Sequence, residues 1–292
     1  MIENLRVSPV KANGRIVVFG TRGFVGGRLI ETLRQQERPV LPLGSAQIDL
    51  TAPSSAAQAA ALIRSDDVVV VASALTPEKG NDVAACVKNV GMGKHLCAAF
   101  AQSPPAQVVY LSSDAVYADD GEPLTEASPC APSSAYGLAH WVREQLFSLQ
   151  LRQTRTPLLI VRPCALYGPG DTHRSYGPNR FLKTAREENR IALFGQGEEL
   201  RDHLHIDDFV RLLLTAVDRR SQGTLNAVPG HAVSFRDVAE TVRRHFPSTV
   251  LEEAPRAQPI VHRRYDNAAL RQAFPAFAFT PLAGGIAACA RP

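Results

Sequence analysis

A glycine-rich turn directly after an apolar segment is the feature that most restricts the fold of this chain. The run Gly20-Thr-Arg-Gly-Phe-Val-Gly26 follows Arg15-Ile-Val-Val-Phe19, and apolar residues then recur at helical spacing as far as Leu33. Glycine allows a tight turn and lets a bulky anion approach the backbone, which a Cβ atom would block. The helix that follows directs free N–H groups toward the same place. The pattern favours a site for a dinucleotide pyrophosphate, although a simple turn in another α/β protein has the same spacing.

Strands and helices alternate through the first half of the chain, which predicts an α/β fold with a doubly wound parallel (Rossmann) sheet. After Tyr167 the pattern turns irregular and predicts a smaller, irregular α/β C-terminal substrate lobe. The expected division is a dinucleotide-binding domain of residues 1–166 and 206–232 and a substrate-binding lobe of residues 167–205 and 233–292. Residues 1–14 are expected to be a loose lead-in, and residues 47–50 a short strand.

Composition excludes several classes of function. The chain has 292 residues, a net charge of +4, and no block of basic residues, which argues against nucleic acid as a partner. It has no run of about 18 apolar residues, so no membrane span is expected. Its five cysteines have neither metal nor redox spacing, which indicates no metal site and a reduced, cytoplasmic chain.

Polar side chains with acid–base chemistry follow two of the predicted elements. Ser113 and Asp114 come directly after a strand, and Tyr136 and His140 are four residues apart on one face of a helix. Ligands of doubly wound sheets bind at the carboxyl ends of the strands, so these side chains are expected to meet the glycine-rich turn. A tyrosine can exchange a proton with a carbonyl or alcohol oxygen while a nicotinamide supplies or takes the hydride.

Further segments have a recognisable order and spacing. They are Val71-Ala-Ser-Ala74, Asn89, Leu111-Ser-Ser-Asp-Ala-Val-Tyr117, Tyr136 to His140, Arg162-Pro-Cys-Ala-Leu-Tyr-Gly-Pro169, Gly195-Gln-Gly-Glu198 and Arg201-Asp-His-Leu-His-Ile-Asp-Asp208. With the glycine-rich turn, they make the chain resemble the extended short-chain dehydrogenases/reductases of the NAD-dependent epimerase/dehydratase type, which modify nucleotide sugars. The resemblance covers nearly everything from Arg15 onward and implies a nucleotide-sugar substrate and a homodimer packed through helices of the nucleotide domain.

The resemblance implies Ser113 and Tyr136 as catalytic residues, with His140 where the family has a lysine. That lysine holds the nicotinamide ribose and lowers the pKa of the tyrosine. Neutral histidine supplies less positive charge at pH 7, although it can still hydrogen-bond a ribose hydroxyl. This departure keeps open an alternative, a catalytically weakened dinucleotide-binding regulatory protein of the same fold.

Asp114 matches an aspartate of the family's sugar dehydratases and keto-sugar reductases, and it is counted with the catalytic and the substrate-binding residues. The dehydratases have a glutamate at the next position as the base for elimination, whereas this chain has Ala115. A methyl group cannot abstract a proton, so keto-reduction or epimerisation is favoured over dehydration. The plainer interpretation of Asp114 is an aspartate that caps a turn.

The predicted cofactor is NADP or NAD. An acidic residue after the second strand would bind the ribose hydroxyls of NAD, but the chain has Leu43-Gly44-Ser45 there. Arg22 in the glycine-rich turn could pair with a 2′-phosphate and favours NADP, whereas a solvated Arg22 would suit either cofactor. The predicted cofactor-binding residues are Gly20, Arg22, Gly23, Phe24, Val25, Gly26, Asp49, Leu50, Ala72, Ser73, Ala74, Tyr136, His140 and Pro163.

On the substrate side, the resemblance points to Asp114, His173, Asn179, Arg180, Arg201 and Arg263. In the family, arginines at the positions of Arg201 and Arg263 pair with the diphosphate of the nucleotide sugar. A single arginine is also typical of a solvated surface, and a single histidine such as His173 is also typical of an ordinary loop.

Overall fold

The computed structural model describes residues 2–8, 14–119, 123–171, 176–256 and 259–291. The strands are β1 (Glu3–Asn4), β2 (Ile16–Phe19), β3 (Val40–Leu43), β4 (Val68–Val71), β5 (Gln107–Leu111), β6 (Leu158–Pro163), β7 (Ala165–Tyr167), β8 (Arg190–Phe194), β9 (Leu200–Arg201), β10 (His203–His205), β11 (Ser221–Ala227), β12 (Val233–Ser234) and β13 (Val250–Ala254). The helices are α1 (Phe24–Gln35), α2 (Ser55–Leu62), α3 (Val83–Gln102), α4 (Ala135–Thr154), α5 (Pro178–Glu188), α6 (Ile206–Asp218), α7 (Phe235–Arg243), α8 (Ala268–Ala273) and α9 (Leu282–Ala290).

A seven-stranded sheet with the order β1-β11-β6-β5-β4-β2-β3 forms the centre of the molecule. All its neighbouring strands are parallel except β1 and β11. The central strands β2, β4 and β5 are fully buried because helices cover both faces, which is the environment that a run such as Val68–Val71 requires. The predicted doubly wound α/β fold is therefore confirmed.

The register of the sheet determines where the loops leave it. Phe19 at the end of β2 lies opposite Leu43 of β3 and Val71 of β4. The three loops that follow these strands therefore begin at the same edge, where ligands of such sheets bind.

The lead-in expected for residues 1–14 is wrong in part. Glu3–Asn4 forms β1, which pairs antiparallel with β11 at the edge of the sheet. The Asn4 side chain donates to the Ala273 carbonyl oxygen at 2.8 Å and accepts from the Ser221 hydroxyl at 2.6 Å. Two residues are too short for a hydrophobic period, so only long-range contacts could define this strand.

The short strand expected for residues 47–50 is absent. The N–H groups of Gln47 and Ile48 both donate to the Gly44 carbonyl oxygen, and the Gln47 side chain accepts from the Gly44 N–H at 3.0 Å. These local bonds make a turn, yet Ile48 and Leu50 are buried in the core. Apolar residues facing a core from a turn have the same spacing as a short strand, which explains the error.

The irregular second part of the chain has an apolar cluster of its own. Helices α5, α7 and α9 pack around residues such as Phe181, Ile191 and Val238, next to the two-stranded pair β8 and β13. The predicted domain boundaries remain a prediction. Within the described part of the chain, no helix is both long and apolar enough to cross a bilayer.

Candidate active site

A cavity of about 840 Å³ opens at the carboxyl edge of the sheet, and every predicted cofactor-binding and catalytic residue lines it. They are Gly20, Arg22, Gly23, Phe24, Val25 and Gly26 of the glycine-rich turn, Asp49, Leu50, Ala72, Ser73 and Ala74 of the loops after β3 and β4, Ser113 and Asp114 after β5, Tyr136 and His140 of α4, and Pro163 at the end of β6. Residues at or after the ends of five parallel strands, together with the start of α4, thus share one cavity. Its volume lies in the range of small-molecule and cofactor sites.

The glycine-rich turn has the form of an anion cradle. Gly20 has a φ of +101°, and a Cβ atom there would lie 2.7 Å from the backbone at Ala72 and Ser73. Helix α1 begins at Phe24 with Gly23 as its N-cap, and no side chain caps its first turn. Open N–H groups at the positive end of a helix suit a pyrophosphate, so the residues present fit a dinucleotide cofactor.

Tyr136 is placed beside Ser113 by the way α4 begins. Ser134 caps the helix by accepting from the Gly137 N–H at 3.1 Å. A Cβ atom at Gly137 would lie 2.1 Å from the Ala115 carbonyl oxygen, so only glycine lets the helix approach the turn after β5 this closely. The Ser113 hydroxyl accepts from the Ala115 N–H at 3.1 Å and belongs to the same turn.

The Tyr136 phenol is protonated at neutral pH. Burial and the nearby Asp114 carboxylate raise its pKa to about 12, while the Ser113 hydroxyl and the Arg143 guanidinium act in the opposite direction. The site therefore raises the pKa of Tyr136 and does not lower it. In this state the phenol can donate a proton.

His140 is buried between aromatic side chains. Its Nδ1 lies 2.7 Å from the Tyr110 hydroxyl, and its ring meets Tyr136 edge-on with 4.5 Å between centroids. Burial, reinforced by Arg143, lowers the pKa of His140 to about 3, so the ring is neutral. Its Nε2 is buried without a hydrogen-bond partner among the described residues.

A buried ion pair supports the strand ends behind the cavity. Arg162 and Glu144 form a two-point contact at 3.0 and 2.6 Å, and Glu144 also accepts from the Ser112 hydroxyl at 2.5 Å. The Arg162 guanidinium donates to the Tyr117 hydroxyl, which donates to Asn226. This network ties β5, α4, β6 and β11 together at the level of the site.

Asp114 connects the cavity to residues from late in the chain. Its carboxylate accepts from the Tyr265 hydroxyl at 2.7 Å, and its carbonyl oxygen accepts from Arg263 at 2.8 Å. Arg201 lies opposite Arg263 in a backbone bridge and donates to the Leu200 carbonyl oxygen at 3.0 Å. The structure therefore brings Arg201, Arg263 and Asp114 together, although neither arginine lines the cavity.

The other predicted substrate residues lie apart from this group. Asn179 accepts from the Gly168 N–H at 3.1 Å and donates to Asp171 at 2.8 Å, so it holds the loop after β7. Arg180 is exposed in the first turn of α5. His173 lies outside the described residues.

Arg22 and Ser45 are in direct contact in the wall of the cavity. The Arg22 guanidinium donates to the Ser45 hydroxyl, and both residues line the cavity. Asp49 lines it too, and its carboxylate accepts from the N–H and the hydroxyl of Thr51 at 2.9 and 2.7 Å. No group of three or more potential metal ligands was found among the described residues.

Sequence reasoning missed Tyr110, Arg143, Glu144 and Tyr265. Of these, Arg143 has a signal in hindsight, because Tyr136, His140, Arg143 and Phe147 recur at spacings of four, three and four on one helical face. A polar series on a buried face indicates an internal network. Tyr265 has no such signal, because it is 151 residues away from Asp114 in the chain.

A profile of the NAD-dependent epimerase/dehydratase family matches residues 16–228, which is most of the chain. The chain belongs to this family. The family match covers the six parallel strands of the sheet, the glycine-rich turn and the four catalytic candidates Ser113, Asp114, Tyr136 and His140. The resemblance drawn from the motifs is thereby confirmed.

Among similar proteins of known name, the ADP-L-glycero-D-manno-heptose-6-epimerase of Cupriavidus pinatubonensis is 29% identical over 178 residues. The match covers 56% of this chain and 54% of the epimerase, so the chain spans about half the length of that relative. Two solved structures with a similar fold have names that indicate two different reactions.

A GDP-L-fucose synthetase from Naegleria fowleri bound to NADP has a TM-score of 0.83 and 20% identity, with 99% of this chain and 95% of that chain covered. A dTDP-glucose 4,6-dehydratase from Streptomyces venezuelae with NAD bound has a TM-score of 0.81 and 20% identity, with 95% and 96% covered. Likeness at this level of identity shows the fold alone.

The buried histidines His140 and His203 predict that the protein loses stability in mild acid. Burial is the main reason that the pKa of each is lowered to about 3, with Arg143 and Arg201 as secondary causes. An unfolded histidine has a pKa near 6.5, so the unfolded chain binds more protons than the folded chain between about pH 6.5 and pH 3. The free energy of unfolding should therefore be highest above pH 6.5 and fall as the pH is lowered.

For two such groups the slope is at most about 3 kcal/mol per pH unit. Urea unfolding at pH 7.0, 6.0 and 5.0 measures it. His203→Phe should reduce the slope, since the His203 ring packs against Phe235 with 5.7 Å between centroids and can be replaced by an apolar ring. An unchanged slope in this variant would contradict the role of His203.

Proposed function

We propose that this protein is an NAD(P)-dependent enzyme that acts on a nucleotide-linked sugar by hydride transfer. The favoured reactions are keto-reduction and epimerisation. The observation that carries the proposal is the single cavity in which the Gly20 cradle, Ser113 and Tyr136 meet. Family membership and the heptose epimerase relative support the substrate class.

The glycine-rich turn would hold the pyrophosphate of the dinucleotide, and His140 would hydrogen-bond its ribose. When bound, the nicotinamide supplies or takes the hydride. Tyr136 keeps its proton at neutral pH because its pKa is about 12, so it can donate that proton to a sugar carbonyl oxygen. The Ser113 hydroxyl lies in the adjoining turn and would orient the same oxygen.

Reduction or epimerisation is favoured over dehydration because the turn after β5 lacks a free base. Position 115 is alanine, and the Asp114 carboxylate is held by the Tyr265 hydroxyl. Arg201 and Arg263 lie next to Asp114 and would face the diphosphate of the substrate. Their backbones are paired by a bridge, which keeps the two cations close together and supports this assignment.

Tyr136→Phe tests the proposed function. The variant should lower kcat about 10²- to 10⁴-fold, the usual contribution of a positioned general acid, with dinucleotide binding retained. Turnover is measured as loss of NADPH or NADH absorbance with 4-keto nucleotide sugars, and epimer formation by chromatography of the products. Tyr176→Phe is the matched control, since Tyr176 is a partly buried tyrosine outside the cavity.

The regulatory alternative makes a different prediction for the same assay. It would be supported by tight dinucleotide binding without turnover of any nucleotide sugar between pH 6 and pH 9. Turnover that is equal in Tyr136→Phe and in the unaltered protein would contradict the assigned role of Tyr136.

We further propose that NADP is preferred to NAD. Arg22 and Ser45 lie together where an adenosine 2′-phosphate would bind, and Leu43-Gly44-Ser45 contains no acid that would repel it. A guanidinium is well suited to bind a phosphate through two hydrogen bonds.

Arg22→Ala should therefore weaken NADPH binding about 10- to 100-fold, the range for hydrogen bonds to a charged group, and leave NADH binding unchanged. Ser45→Asp should reverse the preference, since a carboxylate repels the 2′-phosphate and accepts from ribose hydroxyls. Fluorescence titration with both dinucleotides measures the two constants. Equal effects of Arg22→Ala on both would show that Arg22 does not select the cofactor.

A homodimer through α3 and α4 is also proposed. These helices pack side by side and leave large apolar side chains on their outer faces, with Val83 77% exposed, Val87 64% and Leu149 60%. Val83 and Val87 are one helical turn apart, so they share a face. Such an apolar patch on two neighbouring helices is typical of an interface.

Val87→Glu should convert a dimer to a monomer because the charge would be desolvated in the interface. Light scattering after gel filtration measures the mass. Val250→Glu is the control, since Val250 is similarly exposed at 57% but lies on β13, away from both helices. A monomeric unaltered protein at micromolar concentration would contradict the dimer.

A further inference from the structure

The wall behind His140 contains two side chains that the proposed mechanism does not use. Tyr110 is fully buried at the end of β5, and its hydroxyl lies 2.7 Å from His140 Nδ1. Arg143 is fully buried one helical turn after His140, and its guanidinium carbon lies 5.0 Å above the Tyr110 ring.

Hydrogen-bond satisfaction determines which His140 nitrogen carries the proton. Burial raises the pKa of the Tyr110 phenol, so Tyr110 keeps its proton and needs an acceptor. If the phenol donates to Nδ1, the neutral ring carries its proton on Nε2, and only this N–H is left without a partner. If Nδ1–H donates to the phenol oxygen instead, the phenol proton has no acceptor and the Nε2 lone pair has no donor. Buried polar groups avoid that outcome, which favours the first arrangement.

Arg143 is a fixed cation in this wall. Its Nη1 donates to the Ser73 carbonyl oxygen at 2.8 Å, and the structure shows no carboxylate partner for it among the described residues. Its Nε and Nη2 are buried without hydrogen-bond partners. A guanidinium carries its charge at every physiological pH, so it opposes protonation of His140.

Helix α3 has a glycine, Gly93, at the point where it packs against the Arg143 side chain. A Cβ atom at Gly93 would lie 2.9 Å from Arg143 Cγ and 3.3 Å from Nε. Glycine in the middle of a helix is unfavourable, so this position is used for space. Arg143 therefore occupies a defined channel between α3 and α4 rather than a chance gap in the core.

We propose that Tyr110 and Arg143 are positioning residues that hold His140 neutral with its proton on Nε2, so that His140 serves the cavity as a fixed N–H donor and not as a cation. The ligand group that this donor would meet is a hydroxyl of the dinucleotide ribose, and this part rests on the proposed function. The backbone at Ser73, which lines the same cavity, is held by the same guanidinium. Tyr110 and Arg143 thus determine which nitrogen of His140 donates, and Arg143 also holds part of the cavity wall.

The other charged and titratable groups around His140 leave this arrangement intact. Tyr136 is on the same helix and contacts the His140 ring. Burial raises the pKa of Cys97 on α3, and the Arg143 charge opposes part of that rise. The carboxylate of Glu144 is committed to Arg162 and Ser112. Asp114 and Glu78 act on the neighbouring Tyr136, but no carboxylate of the described residues raises the pKa of His140.

Imidazole ¹⁵N shifts of the ligand-free protein test the proposal directly. The His140 signals are assigned by their loss in His140→Gln. In the unaltered protein they should show the neutral Nε2–H form from pH 5 to pH 8. Tyr110→Phe keeps the ring and removes the hydroxyl, so it should produce a mixture of the two neutral forms. An Nδ1–H form or a protonated ring in the unaltered protein at pH 6, or an unchanged form in Tyr110→Phe, would overturn the proposal.

Arg143→Met and Arg143→Lys separate charge from packing. The methionine variant should raise the pKa of His140 from about 3 toward its ordinary value, whereas lysine should keep it low because it retains the charge. Equal titration of His140 in all three proteins would remove Arg143 from the proposal. If the methionine variant does not fold, Arg143→Lys and Tyr110→Phe still decide the outcome through the tautomer.

Dinucleotide binding supplies the functional measurement. Tyr110→Phe should raise the Kd for NADPH or NADH about three- to tenfold, as expected for one misoriented hydrogen bond, while Tyr176→Phe should leave it unchanged. If the unaltered protein binds neither dinucleotide, the proposed function fails, and the ¹⁵N shifts still judge the positioning pair. An unchanged Kd in Tyr110→Phe with an altered tautomer would show that His140 does not contact the ligand.

Discussion

The site depends on two places where backbone meets backbone with no space for a side chain. Gly20 lies against the chain at Ala72 and Ser73, and Gly137 lies against the Ala115 carbonyl oxygen. The first contact brings the glycine-rich turn next to the end of β4, and the second brings the start of α4 next to the end of β5. A single Cβ atom at either glycine would push the two halves of the cavity apart. The cofactor cradle and the Tyr136 phenol therefore share one space because of close packing.

Electrostatics then distinguish this site from a simple cleft. The polar wall contains a neutral histidine, a guanidinium with no carboxylate partner in the described part of the chain, and a buried Glu144–Arg162 pair. Removing charges from water is unfavourable, and such groups are kept inside proteins only where geometry is well defined. In a low-dielectric wall, the direction of a hydrogen bond matters as much as charge. The arrangement supports a donor function for both Tyr136 and His140.

Residues from late in the chain hold the turn that contains Asp114. Tyr265 and Arg263 reach Asp114 from a segment about 150 residues later in the chain. The Asp114 carboxylate is therefore oriented by the lobe that is proposed to bind substrate. This couples the substrate lobe to the turn that carries Ser113.

The amino-acid sequence by itself determined the fold class, the glycine-rich turn and the catalytic candidates, because these depend on local patterns. A buried valine run, helical spacing and a turn that needs glycine are properties of neighbouring residues. The family match agrees with the predicted family. The strand β1 and the turn at residues 47–50 were misjudged, because a two-residue strand and a turn facing the core are defined by distant partners.

Only the tertiary structure decided the state of the site. The pKa of Tyr136 follows from burial and from Asp114, and the neutrality of His140 follows mainly from burial, with the Arg143 charge as a second cause. The spacing of Tyr136 and His140 is visible in the sequence, but their hydrogen-bond partners and their desolvation are not. Electrostatic energies depend on distances and on exclusion of water, and these exist only once the chain has folded.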